Sequence, residues 1–525
     1  MNAIKVNTNS FLLMLWVLLS IMTVSCGTEV IVPIETPVTK SELSFTPTVI
    51  SSNTEIGNPG RGFYQWQDEP IPAVIPVYDV YRRFSWRQIE PNKDVYDFAP
   101  IDNYLALLKE GQRFSFRIMP LNTVSTPYRN GADVPDYMVN EKMGWSYPFK
   151  STRGSDSIFI PDWNDVRYLE RVEKLCKALA DRYDNDPRIG WIENSLYGNW
   201  GEWHNYPIQY PNSAGEYATP PGTPVSNPIY TPLYAPIMPD PLEPYRQKYR
   251  EGSLTTKKRI LMAHTNVFKN KQLIQSTSDL PILFEVLKMN REKPIGLRRD
   301  SWGDPSFTDI QKYQSYKIST EEMAFFNTRR KDTPFYSENW GGSYLGDVQM
   351  VDQLKAFNVS AIAFGVLGSW TNMTKVMQDS YLKCARYSGY RYQVSHVDAL
   401  LNDSIIDLST IWRNINMAPS FDNWVVEVYL INPKTGVLFS PEIDMQVNLK
   451  EMVSDEVEPI QKNHKISLVK GWKDQKILHL RVIVKDVDGY LKPLNLDMAG
   501  QNSDGSYTLM TIEIIDGVAQ LKRFN

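Results

Sequence analysis

Cysteine is scarce in this chain of 525 residues: Cys26, Cys176 and Cys384 are its only three, so no disulfide framework can be read. Histidine occurs five times, and CxxC and HExxH motifs are both missing, which removes the common zinc and redox signatures. Basic excess is missing too. Lys and Arg number 56 against 60 Asp and Glu, a formal net charge of −4, and this excludes the electrostatic footprint of a nucleic-acid binder. The apolar run over residues 11–24 is too short to span a bilayer comfortably, and no internal repeat is detectable. Cys176 and Cys384 sit in helix-like sequence and read as small buried hydrophobes.

Aromatic residues, by contrast, make up 12% of the chain, with 14 Trp and 29 Tyr. Composition alone fits sugar contact and large aromatic cores equally well. The N-terminus carries Lys5, the apolar run, and Thr23-Val24-Ser25 before Cys26, the layout of a secretory signal over 1–25. The small residue before Cys26 resembles a bacterial lipobox, although Thr23 stands where a large aliphatic residue is usual. The expectation is lipidation of Cys26 and anchoring to a bacterial membrane, the outer membrane first; ordinary signal-peptidase cleavage is the alternative. Residues 26–54 are rich in Thr, Val, Pro and Glu and read as a tether.

From residue 55 strands and helices alternate. Strands are expected at 61–66, 78–89, 114–121, 189–194, 259–264, 281–289, 334–338 and 360–366, with helices at 101–109, 164–183, 319–328 and 347–356 among them. Residues 296–304 read as a polar loop. Eight alternations over this length predict an α/β fold, a (β/α)₈ TIM barrel over 55–388. After it the pattern alternates at period two with turn signals such as Pro433 to Gly436, which predicts a C-terminal all-β sandwich over 389–525 that braces the barrel. Residues 205–244 hold eleven prolines and read as a wall or lid over a site.

The stretch 189–204, IGWIENSLYGNWGEWH, organises the rest. It is a β-branched and aromatic strand that breaks at Gly198 and Gly201 and delivers Glu202 among Trp200, Trp203 and His204. A carboxyl among rings, beside indole faces that suit sugars, fits glycoside hydrolysis. A helix-capping Glu202 in a packed loop is the plainer reading. In a barrel the reactive groups follow the strands, which singles out Trp66, Trp86 with Glu90, Asn122, Glu202 with His204, His264, Asp300, Glu338 with Trp340, and Trp370. Trp200, Trp302, Trp340 and Trp370 are candidate stacking platforms, and His204, His264 and Asp300 candidate partners of sugar hydroxyls. Arg83 and Arg117 either bind an anionic sugar or pair with barrel carboxylates. No cofactor and no metal are expected.

Several motifs together resemble the retaining glycoside hydrolases of clan A, and FSWRQIEPNKDVYDFAPID is similar to a passage after the second strand of family 42 β-galactosidases. NPGRGFY, GNWGEWH, GLRRDSWGD and PFYSENWGG resemble a bacterial family known as the domains DUF4874 and DUF4832, regarded as hydrolase-like. The resemblance implies a carbohydrate substrate, with Glu202 as acid/base and Glu338 as nucleophile. It also implies an asparagine before the acid/base, where this chain has Gly201; Glu193 is the reserve acid, or else the buried partner of an arginine such as Arg117. A surface glycan-binding lipoprotein that kept the cleft and lost catalysis is the alternative of a different class.

Overall fold

The structure is a computed structural model that describes residues 40–66, 71–123, 131–148, 157–204, 252–312, 316–339, 347–363, 370 and 373–524. Cys26, the signal segment, the insertion after residue 204 and Trp340 lie outside the described residues.

Its elements in chain order begin with β1 (Lys40–Phe45), β2 (Gly62–Phe63), β3 (Gln65–Trp66), β4 (Asp79–Ser85), α1 (Trp86–Ile89), α2 (Ala99–Leu107) and β5 (Arg113–Met119). Next come α3 (Asp136–Asn140), β6 (Gly144–Pro148), β7 (Ser157–Pro161), α4 (Val166–Tyr183), β8 (Ile189–Glu193), α5 (Leu254–Thr265), β9 (Gln272–Ser276) and α6 (Leu280–Lys288). The barrel finishes with β10 (Gly296–Asp300), α7 (Thr320–Arg329), β11 (Phe335–Glu338), α8 (Asp347–Phe357), β12 (Ala361–Ala363) and α9 (Lys375–Tyr387).

One parallel sheet runs in the order β2-β12-β11-β10-β9-β8-β5-β4-β3. Because β2 and β3 are two halves of one strand interrupted at Tyr64, the first pairing with β12 and the second with β4, the sheet closes into a ring of eight. This is the predicted (β/α)₈ barrel. Its helices follow elementary signals. In α4, Leu169, Val172, Leu175, Cys176, Leu179 and Tyr183 share the buried face, and the Asp165 side chain caps the Arg167 amide.

Three expectations are corrected. Residues 259–264 lie in helix α5 and 281–289, all but Met289, in helix α6, and the fifth and sixth strands are β9 and β10. Short apolar runs do not distinguish strand from helix by periodicity, but the starts do: Ser253 caps Thr256, and Asp279 caps Ile282 with Pro281 in the first turn. Residues 296–300, read as loop for their Arg-Arg-Asp, are a barrel strand because Arg298 points inward and is neutralised there. The tether over 26–54 is also shorter than expected, since Lys40–Phe45 pairs antiparallel with the sandwich strand beginning at Tyr392.

The C-terminal domain is β13 (Tyr392–Asn402), β14 (Ile405–Asn414), β15 (Trp424–Ile431), β16 (Ile443–Asp444), β17 (Ile460–Ser467), β18 (Ile477–Asp486), β19 (Tyr507–Ile515) and β20 (Val518–Arg523). Sheets β1-β13-β14-β17 and β16-β15-β18-β19-β20 bury one shared core that includes Trp412, Leu408, Val428, Leu480 and Ile512. This sandwich meets the barrel at the beginnings of the barrel strands. Arg113, the first residue of β5, pairs with Asp79 (2.9 Å) at the start of β4 and with Asp422 (2.7 Å) of the sandwich; the Tyr490 hydroxyl donates to Gln112 O. The strand ends that carry chemistry are left to the opposite face. No described helix is long and apolar enough to cross a membrane.

Candidate active site

Side chains two apart on a barrel strand point inward together, and here they form layers. Tyr64, Tyr81, Trp191, Ile274, Tyr336 and Ala361 make a buried apolar layer, with Trp191 stacked on Tyr336 at 4.2 Å between ring centroids. One step further toward the C-terminal ends stand Trp66, Arg83, Arg117, Glu193, Arg298 and Glu338. Arg83 lies beside Arg117 in register, and Asp300 beside Glu338. A mostly aromatic floor thus gives way to a charged layer at the barrel mouth.

Glu202 reaches this layer from a loop. Trp203 is fully buried and donates its indole N–H to Asn194 O (2.8 Å), and the Asn199 carboxamide exchanges hydrogen bonds with Thr123. Gly198, Trp200, Gly201 and Trp203 all have positive φ. Gly201 is required on two counts. Its φ is +73°, and an added Cβ would meet Ile118 O at 3.0 Å and Arg117 Cδ at 3.3 Å. Only without a side chain can the loop lie on β5 and bring Glu202 to Arg117.

The ion pairs then close into a network. Arg117 Nη1 lies 2.7 Å from Glu193 Oε2, and its Nη2 2.5 Å from Glu202 Oε1. Arg83 Nη1 stands 3.5 Å from Glu202 Oε1, and His204 Nε2 3.2 Å from Glu202 Oε2. Arg298 binds Glu193 Oε2 (3.0 Å), Asp300 Oδ1 (3.0 Å) and Glu338 Oε2 (2.5 Å), with Glu202 Oε1 at 3.9 Å. Burial opposes ionisation of Glu202, but Arg117, His204 and Arg298 outweigh it and hold that carboxyl below the ordinary carboxylate range. Burial, with Asp300 and Glu202 nearby, pushes Glu338 well up against the pull of Arg298; Asp300 is raised by burial and by Glu202. Carboxylate oxygens of Glu202, Asp300 and Glu338 all lie within 4.8 Å of one another, a donor set that can hold a cation. A permanent cation, the Arg298 guanidinium, already faces all three.

Glu202, Glu338, Asp300, His204 and Arg117 therefore come together. Arg117, expected among the substrate contacts, is fully buried between the carboxylates of Glu193 and Glu202. Glu193, the reserve acid, is the buried partner of Arg117 and Arg298. Trp200 is half-buried at the mouth, its indole donating to Asn122 Oδ1 at 3.0 Å, and its ring stands edge-on to His204.

Other candidates are corrected. Trp86 is fully buried and donates to Glu90 Oε2 (2.8 Å); Trp302 is fully buried and donates to Ala363 O (3.2 Å). Neither offers a face to a sugar. His264 stands on α5, where Nδ1 meets Ile260 O (3.0 Å) and Nε2 accepts from the Ser195 amide (3.3 Å), so it props the loop after β8. Trp370 is half-buried against the apolar core that includes Tyr381 of α9, and its carbonyl accepts from the Gln378 side chain at 3.0 Å. The residue overlooked in the sequence is Arg298, whose i, i+2 spacing to Asp300 would have placed both inside once 296–300 was read as strand.

With that geometry in view, known proteins give a partial likeness. The sequence pattern of the family 42 β-galactosidases matches residues 78–199, which span β4 to the loop after β8. The β-galactosidase BgaH of Haloferax lucentense is 27% identical over 117 residues, 22% of this chain and 16% of that protein; BgaB of a Geobacillus species is 28% identical over 115 residues, with the same shares. The chain thus spans about one sixth of the length of the curated relatives it matches. Among solved structures, endo-glycoceramidase II from Rhodococcus sp. aligns over 81% of this chain and all of its own, at 10% identity and a TM-score of 0.36. A β-galactosidase from the haloarchaeon Halorubrum lacusprofundi aligns over 62% of this chain and 57% of its own, at 12% identity and a TM-score of 0.33. The match over 78–199 ends before both Glu202 and Glu338.

Proposed function

We propose that the protein is a glycoside hydrolase that cleaves a poly- or oligosaccharide with Glu202 and Glu338. The observation that carries this reading is the pair's spacing, nearest oxygens within 4.8 Å, at the C-terminal mouth of a (β/α)₈ barrel. Retaining glycosidases hold their carboxyls about 5–5.5 Å apart, and inverting ones about 6.5–9.5 Å apart to admit a water. Oxygens this close suit a two-carboxylate mechanism, and the family resemblance makes it a retaining one, through a covalent glycosyl ester. Likeness of residues 78–199 to β-galactosidases supports the class and leaves the sugar open. The family resemblance assigns proton donation to Glu202 and attack to Glu338. Trp200 is the aromatic platform this reading uses among the described residues.

Export, lipidation at Cys26 and membership of the DUF4874/DUF4832 family belong to the same proposal and rest on sequence motifs. The glycan-binding alternative has one observation in its favour, the grip of Arg117 on Glu202, which suits a fixed polar floor as well as a reacting group. Hydrolysis of a broad panel of plant, algal and host glycans by residues 27–525, beside Glu202→Gln and Glu338→Gln, separates them. Turnover lost in both variants supports the hydrolase; binding without turnover, unchanged in Glu338→Gln, supports the binding protein.

A further inference from the structure

We propose that the end of the sandwich farthest from the barrel docks on the lipid surface to which the N-terminus is anchored, and so holds the barrel mouth away from the bilayer. The inference rests on the export and lipidation reading and goes beyond it.

Strand registers define that end. At the near end of the sandwich Tyr392 pairs with Asn414 and Trp424 with Asp486, next to the Asp422 and Tyr490 that hold the barrel. At the far end Asn402 pairs with Ile405 across a turn at Asp403 and Ser404, Ile431 with His479, and Ile515 with Val518 across Asp516 and Gly517. The Leu468 amide donates to Ser404 O (2.8 Å) and the Val469 amide to Phe439 O (2.9 Å), which joins the loops of the two sheets.

This far end is apolar and uncovered. Ile405, Val437, Leu438, Val469, Ile515 and Val518 are exposed there, from 40% for Ile405 to 67% for Ile515. They are six of the eight large apolar side chains that the described sandwich leaves exposed; the other two, Val457 and Val487, lie toward the barrel. Single exposed apolar residues are ordinary, but their concentration at one end of a domain marks a contact surface. An added Cβ at Gly436 or Gly517 would meet no atom within 4 Å, so the folded chain does not cover these turns.

The occupant follows from where the chain enters. Lys40, the first residue of β1, pairs with Asn402 at this same end, and Ser41 Oγ accepts from the Leu521 amide (3.0 Å) of β20. Cys26 stands fourteen residues before Lys40, and the intervening chain reaches no more than about 50 Å even fully extended. A lipid on Cys26 therefore keeps this end within that distance of the bilayer whatever the tilt of the molecule. The sandwich then separates it from the barrel, since β13 alone, with eleven residues, is about 36 Å long. One lipid chain binds a membrane only marginally, and a second, apolar contact makes the attachment firm. Lys434, Lys470 and Lys476 are exposed around the apolar side chains, where ammonium groups can lie at the lipid phosphates. Asp474, Glu513 and Asp516 share this end, so the net charge is small and the apolar side chains carry the contact. The order from the bilayer outward is then sandwich, barrel and mouth, with the site open to glycans in solution.

Hydrogen–deuterium exchange on the chain from Cys26 onward tests this. The Cys26 thiol is coupled either to a maleimide lipid in vesicles of phosphatidylethanolamine and phosphatidylglycerol or to a soluble maleimide polyethylene glycol. Cys176 and Cys384 are buried and do not compete. On vesicles the amides of 432–438, 468–471 and 515–518 are expected to exchange several-fold more slowly than on the polymer, and those of 199–204 at the mouth to exchange equally. The slowing should survive about 0.5 M sodium chloride, which screens charge but not apolar contact. It should be lost in the double variant Leu438→Ser with Ile515→Ser, whose near-ultraviolet circular dichroism shows that it is folded. Equal exchange in both couplings, protection at 199–204 instead, or slowing that salt removes or the double variant keeps overturns the proposal. Slowing at the tip on the polymer as well would mean that a second copy covers it, and overturns the proposal too. The anchor is read separately, from the mass of the N-terminal peptide made in a bacterial host. Protection on vesicles with an unacylated Cys26 would keep the docking surface and dismiss the anchor; acylation without protection would do the reverse.

Discussion

Arg298 Nη1 lies 3.0 Å from Glu193 Oε2, and both side chains are buried beneath the carboxylates at the barrel mouth. Glu193 also takes Arg117, so two arginines meet on one acid and fix the heights of Glu202 and Glu338 above it. Arg298→Met removes a cation from buried Glu193 and Glu338 and half-buried Asp300 at once, and breaking buried pairs in this way costs about 3–5 kcal/mol. The expected result is a fall of that size in urea-unfolding free energy. Arg298→Lys should recover part of it, because a point charge cannot reproduce the fork between Glu193, Asp300 and Glu338.

His264 makes stability depend on pH. Burial lowers its folded pKa to about 4 from an ordinary 6.5, against the pull of the Ile260 carbonyl. The unfolded chain then binds the proton more readily, so the contribution is complete above pH 6.5 and is lost as pH falls toward 4, up to about 3 kcal/mol in all. Glu202, with its depressed pKa, adds an acid loss of the same sign below the ordinary carboxylate value. Glu338, raised by burial, acts with the opposite sign, so the prediction is a difference: between pH 7 and about 5, unfolding free energy should fall more steeply with acid in the parent than in His264→Gln. Equal slopes would remove His264 as the cause.

Trp200 and Trp302 should separate cleanly. Trp302→Ala empties a fully buried site and is expected to cost about 3–5 kcal/mol of stability. Trp200→Ala touches a half-exposed ring at φ +53° and should cost far less stability. On a glycan that is turned over, it should raise KM a few-fold to about tenfold, the worth of one aromatic contact. Thermal unfolding and steady-state kinetics on the two variants check both halves.

Gly201→Asn restores the asparagine that clan A places before its acid/base. Here it is expected to lower turnover, since its Cβ would press on Ile118 O and lift Glu202 from Arg117. A stability loss of about 1–3 kcal/mol should accompany it. Increased turnover would show that the loop can adopt another path.

Much of the architecture was legible in the chain. The strands at 62–66, 79–85, 113–119 and 189–193 follow from runs of β-branched and aromatic residues, Glu202 from its place in the loop after a strand and Glu338 from its place at a strand's end. The pairing of Glu193 with an arginine was legible as well, because a carboxylate on a buried strand needs a cation. The indoles were not. Trp86 and Trp302 look in sequence like Trp200, yet an indole can satisfy its N–H on a buried acceptor and vanish into the core, as these do on Glu90 and Ala363.

Hydrophobic periodicity and turn residues, both local properties of the chain, are enough for a (β/α)₈ barrel followed by a β-sandwich, with two carboxylates at the ends of barrel strands. Tertiary structure alone decided which polar groups share charge. Arg298 counts as loop or core only once β9 and β11 flank its strand, and Glu202 keeps its charge against burial because the Gly201 turn sets it beside Arg117. Electrostatic state depends on distances across the barrel, between residues as far apart in sequence as Arg117 and Arg298, and no local pattern encodes those.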